Sequence, residues 1–288
     1  MVKSYTRRQF LKKVLSSVTT TLLATTGGYI YARYIEPKYI EVTEHTIKHS
    51  LIPKSFHQMR IVQFSDTHIG ENFTLQHFEK VVDKINTLQP DLVFFTGDLI
   101  DIPNTYNHLD KVAPILSRIK APFGKYYIYG NHDHGGFGTD IYKNIMNLAD
   151  FQLLMNSSIT IKNNKDIITI AGVDDAMLGK PDFETTFKHI SANTYTIILI
   201  HEPDIAPRAE ELGAHLQLSG HTHGGQIKVP FIGPIVTPPL GNHYVEGYFE
   251  IGPSKMPLFV NRGLGTTRLP FRFLSRPEIS VYTLNVVD

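Results

Sequence analysis

The sequence contains no cysteine among its 288 residues. This absence excludes a disulfide scaffold, a thiolate zinc site, an iron–sulfur cluster and a cysteine nucleophile. An excess of charge of one sign is missing as well, because the formal net charge is only +1. No overall field would therefore attract nucleic acid, and we expect no nucleic-acid partner. Hydrophobic residues make up 42% of the chain and charged residues 19%, a balance typical of a globular protein.

Three motifs of phosphate and acyl-transfer sites are also absent. The Gly179-Lys180 pair lacks the hydroxyl residue and the upstream glycine of a P-loop. The Gly-Leu-Gly segment 263–265 lacks the third glycine of a dinucleotide loop, and no Gly-x-Ser-x-Gly elbow is present. The chain does contain 14 histidines. A bound metal would therefore be held by histidine, aspartate, glutamate or asparagine.

The first 36 residues differ from the rest of the chain. Five basic side chains and no acidic one lie within residues 1–13, and an uncharged run follows from Val14 to Ala32. A basic segment before an apolar stretch is typical of an export signal or membrane anchor rather than of a folded domain. We therefore predict a leader over residues 1–36 and a single catalytic domain over residues 37–288.

The string TRRQFLK at residues 6–12 resembles the twin-arginine export motif at every position. The alternative is that Arg7 and Arg8 only flank an ordinary anchor with positive charge. The apolar run is rich in serine, threonine and glycine, and its length just reaches across a bilayer core of ~30 Å. Cleavage and retention of the leader both stay open. Either way, we expect the twin-arginine export machinery as a partner and an extracytoplasmic location, at the membrane or cell wall.

Strand and helix patterns alternate from Arg60 to Ser219, and the last third of the chain is rich in strand patterns. Short strands are predicted at residues 60–65, 92–96, 126–129, 196–200 and 215–218. Helical periodicity runs from Leu75 to Leu88, ahead of Pro90, and again over residues 109–119. The fold class is therefore α/β, and no linker divides the domain.

Polar side chains follow five of the predicted strands, at the point where each strand ends. Because ligands bind beyond the carboxyl ends of the strands of an open α/β sheet, we expect these side chains to share one cleft. They include seven candidate metal ligands, which are Asp66, His68, Asp98, Asn131, His201, His221 and His223. Seven ligands are too many for one ion with an open position, so two ions that share a carboxylate fit better. Nitrogen and oxygen ligands without sulfur suit Mn, Fe, Zn, Ni or Co.

The order of these motifs carries a resemblance. D-x-H, G-D, G-N-H-D, a lone histidine and G-H-T-H follow one another between Asp66 and His223. This series resembles the calcineurin-like metallophosphoesterase superfamily. The resemblance implies a two-sheet β-sandwich flanked by helices and a dinuclear metal-dependent phosphoesterase, in which metal-activated hydroxide attacks phosphorus in line with the leaving group.

The resemblance also implies a role for each motif residue. Asp98 would bridge two metal ions. His132 would lie beside the phosphate, where it stabilises charge or protonates the leaving oxygen, and Asp133 would orient it. The ligands of the first ion would be Asp66, His68 and His223, and those of the second would be Asn131, His201 and His221.

The C-terminal third suggests the substrate class. The segments 261–265 and 276–278 resemble the exported, membrane-associated branch of the superfamily, which is related to the enzymes that hydrolyse UDP-2,3-diacylglucosamine. We therefore expect a phosphodiester or pyrophosphate substrate linked to a lipid or to the cell envelope. A phosphomonoesterase, and a metal-retaining phosphate- or lipid-binding protein without turnover, are the alternatives.

Three further features stay open in the sequence. The apolar run Val229–Gly241 can contact a lipid or cap the core. A cluster of four arginines indicates either an exposed strand edge and loop or an anion-binding lip near the cleft. Its members are Arg262, Arg268, Arg272 and Arg276. The Asp174-Asp175 pair is expected in a plain turn, with the lining of the cleft as the alternative.

Overall fold

The computed structural model describes residues 6–134 and 139–287. Six helices lie in these ranges, and the small 3-10 turns between them are left unlabelled. The helices are α1 (Arg7–Ile30), α2 (Leu75–Thr87), α3 (Val112–Leu116), α4 (Thr139–Leu148), α5 (Phe183–Phe187) and α6 (Ala206–Glu211).

Fourteen strands lie in the same described ranges. The first seven are β1 (Glu41–His49), β2 (Arg60–Phe64), β3 (Leu92–Phe95), β4 (Lys125–Tyr127), β5 (Gln152–Leu153), β6 (Ser157–Asn163) and β7 (Asp166–Gly172). The others are β8 (Thr196–Leu199), β9 (Leu216–Ser219), β10 (Lys228–Val229), β11 (Gly233–Pro234), β12 (Gly247–Ile251), β13 (Met256–Val260) and β14 (Glu278–Val286).

The strands form two six-stranded sheets and one small hairpin. The first sheet has the order β1-β14-β2-β3-β4-β5, and the second has the order β12-β13-β9-β8-β7-β6. In the first sheet β2, β3 and β4 are parallel neighbours. In the second sheet β7, β8 and β9 are parallel neighbours as well. The hairpin pairs β10 with β11.

The two sheets pack face to face, with helices on both outer faces. Ile61 and Phe94 of the first sheet share one buried cluster with Ile197 and Leu218 of the second. Alternate residues of the same strands, such as Val62, belong to a second cluster that α2, α3 and α4 cover. Both faces of these strands are therefore buried, which explains their continuous apolar runs. The predicted α/β fold with a two-sheet sandwich between helices is confirmed.

Helix α2 shows how the local sequence specifies an element. The side chain of Thr74 accepts a hydrogen bond from the backbone N–H of His77 and so caps the first turn. Phe78, Val82 and Ile85 lie on one face of the helix and are fully buried against the first sheet. The predicted helix over residues 75–88 is confirmed, whereas the helical pattern at 109–119 forms only the short α3 behind a 3-10 turn.

The end of the leader packs on the domain. Within α1 no residue is buried, but the segment that follows it is tied down. The carbonyl of Ala32 accepts a hydrogen bond from Arg272 N–H at 2.9 Å. The buried carboxylate of Glu36 accepts from the backbone N–H groups of Leu274 at 3.0 Å and Ser275 at 2.5 Å. Contacts with the domain thus begin before residue 37, the predicted boundary.

Helix α1 is long, but its serine, threonine and glycine residues limit its hydropathy. Among the helices of the described residues, none combines the length and the hydropathy of a membrane-spanning segment.

Candidate metal centre

Seven predicted ligands follow the carboxyl ends of parallel strands in both sheets. Asp66 and His68 follow β2, Asp98 follows β3, and Asn131 lies in the turn beyond β4; His201 follows β8, and His221 and His223 follow β9. Five of them adopt the left-handed backbone region, with φ of 50° at Asp66, 43° at His68, 61° at Asp98, 75° at His221 and 52° at His223. This conformation is costly for residues other than glycine and is concentrated at functional sites.

One cluster forms around Asp66. Its carboxylate is fully buried and accepts hydrogen bonds from the backbone N–H of His221 at 3.0 and 3.1 Å. Its Oδ1 lies 3.5 Å from His223 Nε2. The Nε2 atoms of His68 and His223 lie 3.1 Å apart. Ligand atoms of Asp66, His68 and His223 thus lie within 4.8 Å of one another, close enough to hold one ion.

Asp98 connects this cluster to a second one. Its Oδ2 lies 3.4 Å from His68 Nε2 and 3.5 Å from His201 Nε2. Ligand atoms of Asp66, Asp98 and His201 also lie within 4.8 Å of one another. Asp98 therefore lies between the two groups of histidines, where a bridging carboxylate is expected.

The hydrogen bonds of two histidines leave their other ring nitrogens as lone-pair donors. His201 Nδ1 lies 2.6 Å from the carbonyl of Thr96, and His221 Nε2 lies 2.8 Å from the carbonyl of Pro239. Because a carbonyl only accepts, both nitrogens carry the proton. The opposite atoms, His201 Nε2 and His221 Nδ1, are buried and make no hydrogen bond within the described residues. Such nitrogens fit divalent metal ions, whose histidine ligands are held by this kind of outer hydrogen bond.

The electrostatics of Asp98, His221 and His223 agree with that fit, whereas His201 holds a proton in the absence of an ion. Burial lowers the pKa of His201, but Asp98 raises it well above its ordinary value overall, so a bound ion would displace that proton. Burial alone would raise the pKa of Asp98, but His201 and His132 hold it well below its ordinary value. Burial and the neighbouring His201 lower the pKa of His221 to about 4. Burial, together with His68, also lowers the pKa of His223. Asp98 is therefore ionised, and His221 and His223 are neutral, as metal ligands must be.

His132 is held at the edge of this centre. Its backbone N–H donates to Asp98 Oδ1 at 2.9 Å, and its ring meets the ring of His68 edge-on at 4.6 Å. Its Nδ1 lies 3.1 Å from the carbonyl of Asp101 and therefore donates to it. Burial lowers the pKa of His132, but Asp98 and the Asp101 hydrogen bond raise it above its ordinary value overall. The ring is part-exposed, which leaves it accessible to a substrate.

Asp133 has a different position from the expected one. Its buried carboxylate accepts hydrogen bonds from the backbone N–H groups of Asp98 at 2.6 Å, Leu99 at 3.0 Å and Gly130 at 3.0 Å. These bonds hold the backbone that carries Asp98. The carbonyl of Asp101, rather than the expected Asp133, meets the ring of His132. Half-buried Asn131 lies between Gly130 and His132 in the same turn.

The glycines of the motifs allow these close approaches. A Cβ at Gly130 would lie 2.3 Å from Asp98 Oδ1, and a Cβ at Gly220 would lie 2.3 Å from Asp66 Oδ2. Real Cβ atoms do not approach other atoms this closely. A side chain at either position would therefore displace the carboxylate of Asp98 or of Asp66.

The arginine cluster does not form a common lip. Arg272 is fully buried, and its guanidinium donates to the carbonyls of Gly263 and Gly265 at 3.1 and 2.6 Å. The same group lies 3.3 Å from His223 Nδ1. Arg262 is ion-paired with Glu278 at 3.0 Å. Both interpretations are therefore wrong for Arg272, because its local carbonyl acceptors allow it to be buried. Arg262 is half-buried, and Arg268 and Arg276 are exposed.

Sequence patterns do not reveal the buried pair of acids next to His201, which is Asp175 and Glu202. Backbone N–H groups of Ala176 and Leu178 donate to Glu202 and Asp175, respectively, at 3.1 and 2.5 Å. Burial and a hydrogen bond with Asp175 raise the pKa of Glu202 well above its ordinary value. The carboxylates of Asp174 and Asp175 are buried, and they accept from the backbone N–H groups of residues 178–180, so the pair caps the expected turn. The position of Glu202 next to His201 was the one signal in the sequence.

A cavity adjoins the metal centre. Its volume is about 730 Å³, and Asn72, Asp101, Asn107 and His108 are among its lining residues. Asp101 joins the cavity to the centre, because its Oδ1 lies 3.6 Å from His68 Nδ1. The cavity therefore offers hydrogen-bonding groups beside the place where a phosphate would bind.

Comparisons with known proteins agree with this geometry. A model of the calcineurin-like phosphoesterase family matches residues 59–225. The metallophosphoesterase YkuE of Bacillus subtilis is 51% identical, over 98% of this chain and 99% of that protein. The UDP-2,3-diacylglucosamine pyrophosphatase LpxG of Chlamydia muridarum is 28% identical, over 92% of this chain and 95% of that protein. A metallophosphoesterase of Aquifex aeolicus is 30% identical, over 87% of this chain and 94% of that protein.

The two-sheet fold, the aspartate and histidine cluster and these relatives define a metal-dependent phosphoric ester hydrolase. Within that class, the chain belongs to the calcineurin-like phosphoesterase family.

The contact between Gly130 and Asp98 yields a test. We expect Gly130→Ala to weaken metal binding by about 10- to 100-fold, since displaced supports of metal ligands have effects of this size. Metal titration followed by calorimetry measures the change. Gly70→Ala is the matched control in a neighbouring loop, because its Cβ would meet ordinary contacts at 3.5 Å. Equal metal affinities of the two variants would contradict the assigned role of Gly130.

Proposed function

We propose that the protein binds two divalent ions and hydrolyses a phosphodiester or pyrophosphate. The observation that carries this proposal is the position of Asp98 between two groups of buried histidines. Asp98 would bridge the ions. Asp66, His68 and His223 would hold one ion, and Asn131, His201 and His221 would hold the other. Mn, Fe, Zn, Ni and Co all suit this donor set.

When bound, the ions supply positive charge that makes water a stronger acid and neutralises phosphate oxygens. The residues of the chain supply the positioning. Asp133 holds the backbone of Asp98, and the Asp101 carbonyl holds the ring of His132. Because Nδ1 of His132 is engaged by that carbonyl, Nε2 is the atom that donates a hydrogen bond or a proton to an oxygen of the substrate.

The substrate class follows from two lines of support. The LpxG relative is named a UDP-2,3-diacylglucosamine pyrophosphatase, which favours a pyrophosphate or diester linked to a lipid or envelope component. The 730 Å³ cavity beside Asp101 offers space for a large polar group on one side of the phosphorus. A diester or pyrophosphate has such a group on each side of the cleaved bond, whereas a monoester has it on one side only.

The proposed location outside the cytoplasm rests on the N-terminal segment of the chain. The twin-arginine string at residues 6–12 favours export. The contacts of Ala32 and Glu36 with the domain favour a cleavage point, where the leader is cleaved, ahead of residue 32. The domain would then act on the outer side of the membrane.

Export provides a prediction that depends on the arginines rather than on their charge. We expect the double variant Arg7→Lys, Arg8→Lys to be exported slowly or not at all, since the twin-arginine receptor reads the side chains. Cell fractionation measures the exported share, and Lys3→Arg with Lys13→Arg, outside the string at residues 6–12, is the charge-matched control. Normal export of the first variant would favour an ordinary anchor.

Hydrolysis of chromogenic esters tests the reaction class. We expect the full chain, loaded with Mn²⁺, to cleave bis-p-nitrophenyl phosphate faster than p-nitrophenyl phosphate, and a chelator to abolish both activities. The reverse preference would establish the phosphomonoesterase alternative. Failure to cleave either ester or a pyrophosphate, with metal bound, would support the binding protein without turnover.

A variant of His132 separates catalysis from metal binding. We expect His132→Asn to lower kcat by about 10²- to 10⁴-fold, the usual contribution of a general acid, with an unchanged metal content. Turnover and elemental analysis of the same sample measure both quantities. His57→Asn, at an exposed position remote from the motifs, is the control. An unchanged kcat in His132→Asn would exclude the proposed role.

A further inference from the structure

The tip of the β10–β11 hairpin presents large apolar side chains to solvent. Phe231 is fully exposed, at 109% of its reference area, and Ile232 is exposed at 80%. Ile235 and Val236 follow at 61% and 67%. Single exposed apolar residues are ordinary on protein surfaces, but a contiguous apolar patch marks an interaction site.

The backbone of the tip is unusual for such residues. Phe231 has a φ of 68°, in the left-handed region that glycine, asparagine and aspartate populate most readily. The N–H of Ile232 donates to the carbonyl of Val229 at 3.1 Å and closes the turn. The turn thus holds Phe231 in a costly conformation with its ring fully exposed, so packing within the chain does not compensate that cost.

The hairpin and the end of α1 rest on the same segment. The N–H of Lys228, in β10, donates to the carbonyl of Phe273 at 2.9 Å. The ring of Tyr31 lies 6.2 Å from the ring of Phe273, and the ring of Tyr29 lies 5.5 Å from that of Phe271. Helix α1 therefore ends beside the hairpin, with exposed Tyr29 and Ile30 in its last turn.

The exposed charges of the two segments next to the hairpin tip are basic. The segments 226–240 and 261–276 contain no acidic residue. Two acids from other segments contact them, because Glu246 is ion-paired with Lys228 of β10 and Glu36 is buried against Leu274 and Ser275. Arg268 and Arg276 of the second segment are exposed. Apolar side chains beside exposed arginines match the surface of an anionic lipid bilayer, with its acyl chains below negative headgroups.

We propose that the tip of the β10–β11 hairpin, residues 230–236, inserts into the surface of an anionic phospholipid bilayer. The hairpin packs against the loop that carries His221 and His223, because a Cβ at Gly225 would lie only 2.2 Å from Pro234. The carbonyl of Pro239, just beyond it, accepts from His221 Nε2 at 2.8 Å. Insertion therefore places the metal centre at the bilayer surface, where it meets phosphate esters whose apolar part stays in the membrane. This consequence rests on the proposed function, but the insertion itself does not.

The absence of tryptophan from the sequence allows a direct test. Phe231→Trp in the full chain provides a single tryptophan at the tip, and its emission can be excited selectively despite the 14 tyrosines. Ile167→Trp is the control, because Ile167 is 40% exposed at the amino end of β7, away from the carboxyl ends that carry the centre. With phosphatidylglycerol vesicles, we expect the emission of the Phe231→Trp variant to shift to shorter wavelength and to be quenched by brominated lipid. The control should show neither effect.

Three results would overturn the proposal. The first is association with vesicles through α1 without a change at Phe231→Trp. The second is an equal change in both variants. The third is a shift that appears without vesicles as the protein concentration rises, which would identify a second copy of the chain as the occupant.

A second variant connects insertion to activity. We expect Phe231→Ser with Ile232→Ser to weaken the partition into these vesicles by at least about tenfold, since two large apolar side chains would no longer be buried. Hydrolysis of bis-p-nitrophenyl phosphate in solution should stay unchanged. If the unaltered chain inserts but cleaves no ester, the proposed function fails and the insertion stands; if it cleaves esters but the tip stays in water, only the insertion fails.

Discussion

Two buried carboxylates, those of Asp66 and Asp98, lie within one cluster of histidine rings, and the structure around them is arranged to hold their charges. Burial of an ionised carboxylate costs several kcal/mol unless neighbouring groups compensate it. Backbone N–H groups of His221 and His132 donate to the two carboxylates. The two neighbouring acids differ in pKa. Burial raises the pKa of Asp66, while neighbouring histidines hold the pKa of Asp98 low.

The local backbone strain follows from the same requirement. Ligands such as Asp66 and Asp98 must turn sharply at the ends of their strands, and both adopt positive φ. Asp133 stabilises one of these turns through three backbone N–H groups. Arg272 stabilises another part of the site through the carbonyls around Gly263 and Gly265. The loops are therefore held from behind by buried ionisable groups. Two of the candidate ligand nitrogens, His201 Nε2 and His221 Nδ1, make no hydrogen bond within the described residues.

Much of the fold could be predicted, because both faces of the central strands are buried and their apolar runs are continuous. The candidate ligands could be predicted for a related reason: each follows such a strand, and the carboxyl ends of parallel strands meet. The hydrogen bonds behind the ligands could not be predicted. The carbonyl of Asp101 holds His132, and any residue at position 101 would present a carbonyl, so the sequence carries no signal of it. The burial of Arg272 depends on the path of the 261–276 segment, which local pattern does not reveal.

We propose that the cluster around Asp66 and Asp98 holds two metal ions that share the carboxylate of Asp98. Electron paramagnetic resonance of the full chain loaded with Mn²⁺, combined with elemental analysis, tests it most directly. We expect two ions per chain and the spectrum of an exchange-coupled pair, which Asp98→Ala should abolish. One ion per chain, or two ions with the spectrum of isolated Mn²⁺, would contradict a shared Asp98 carboxylate.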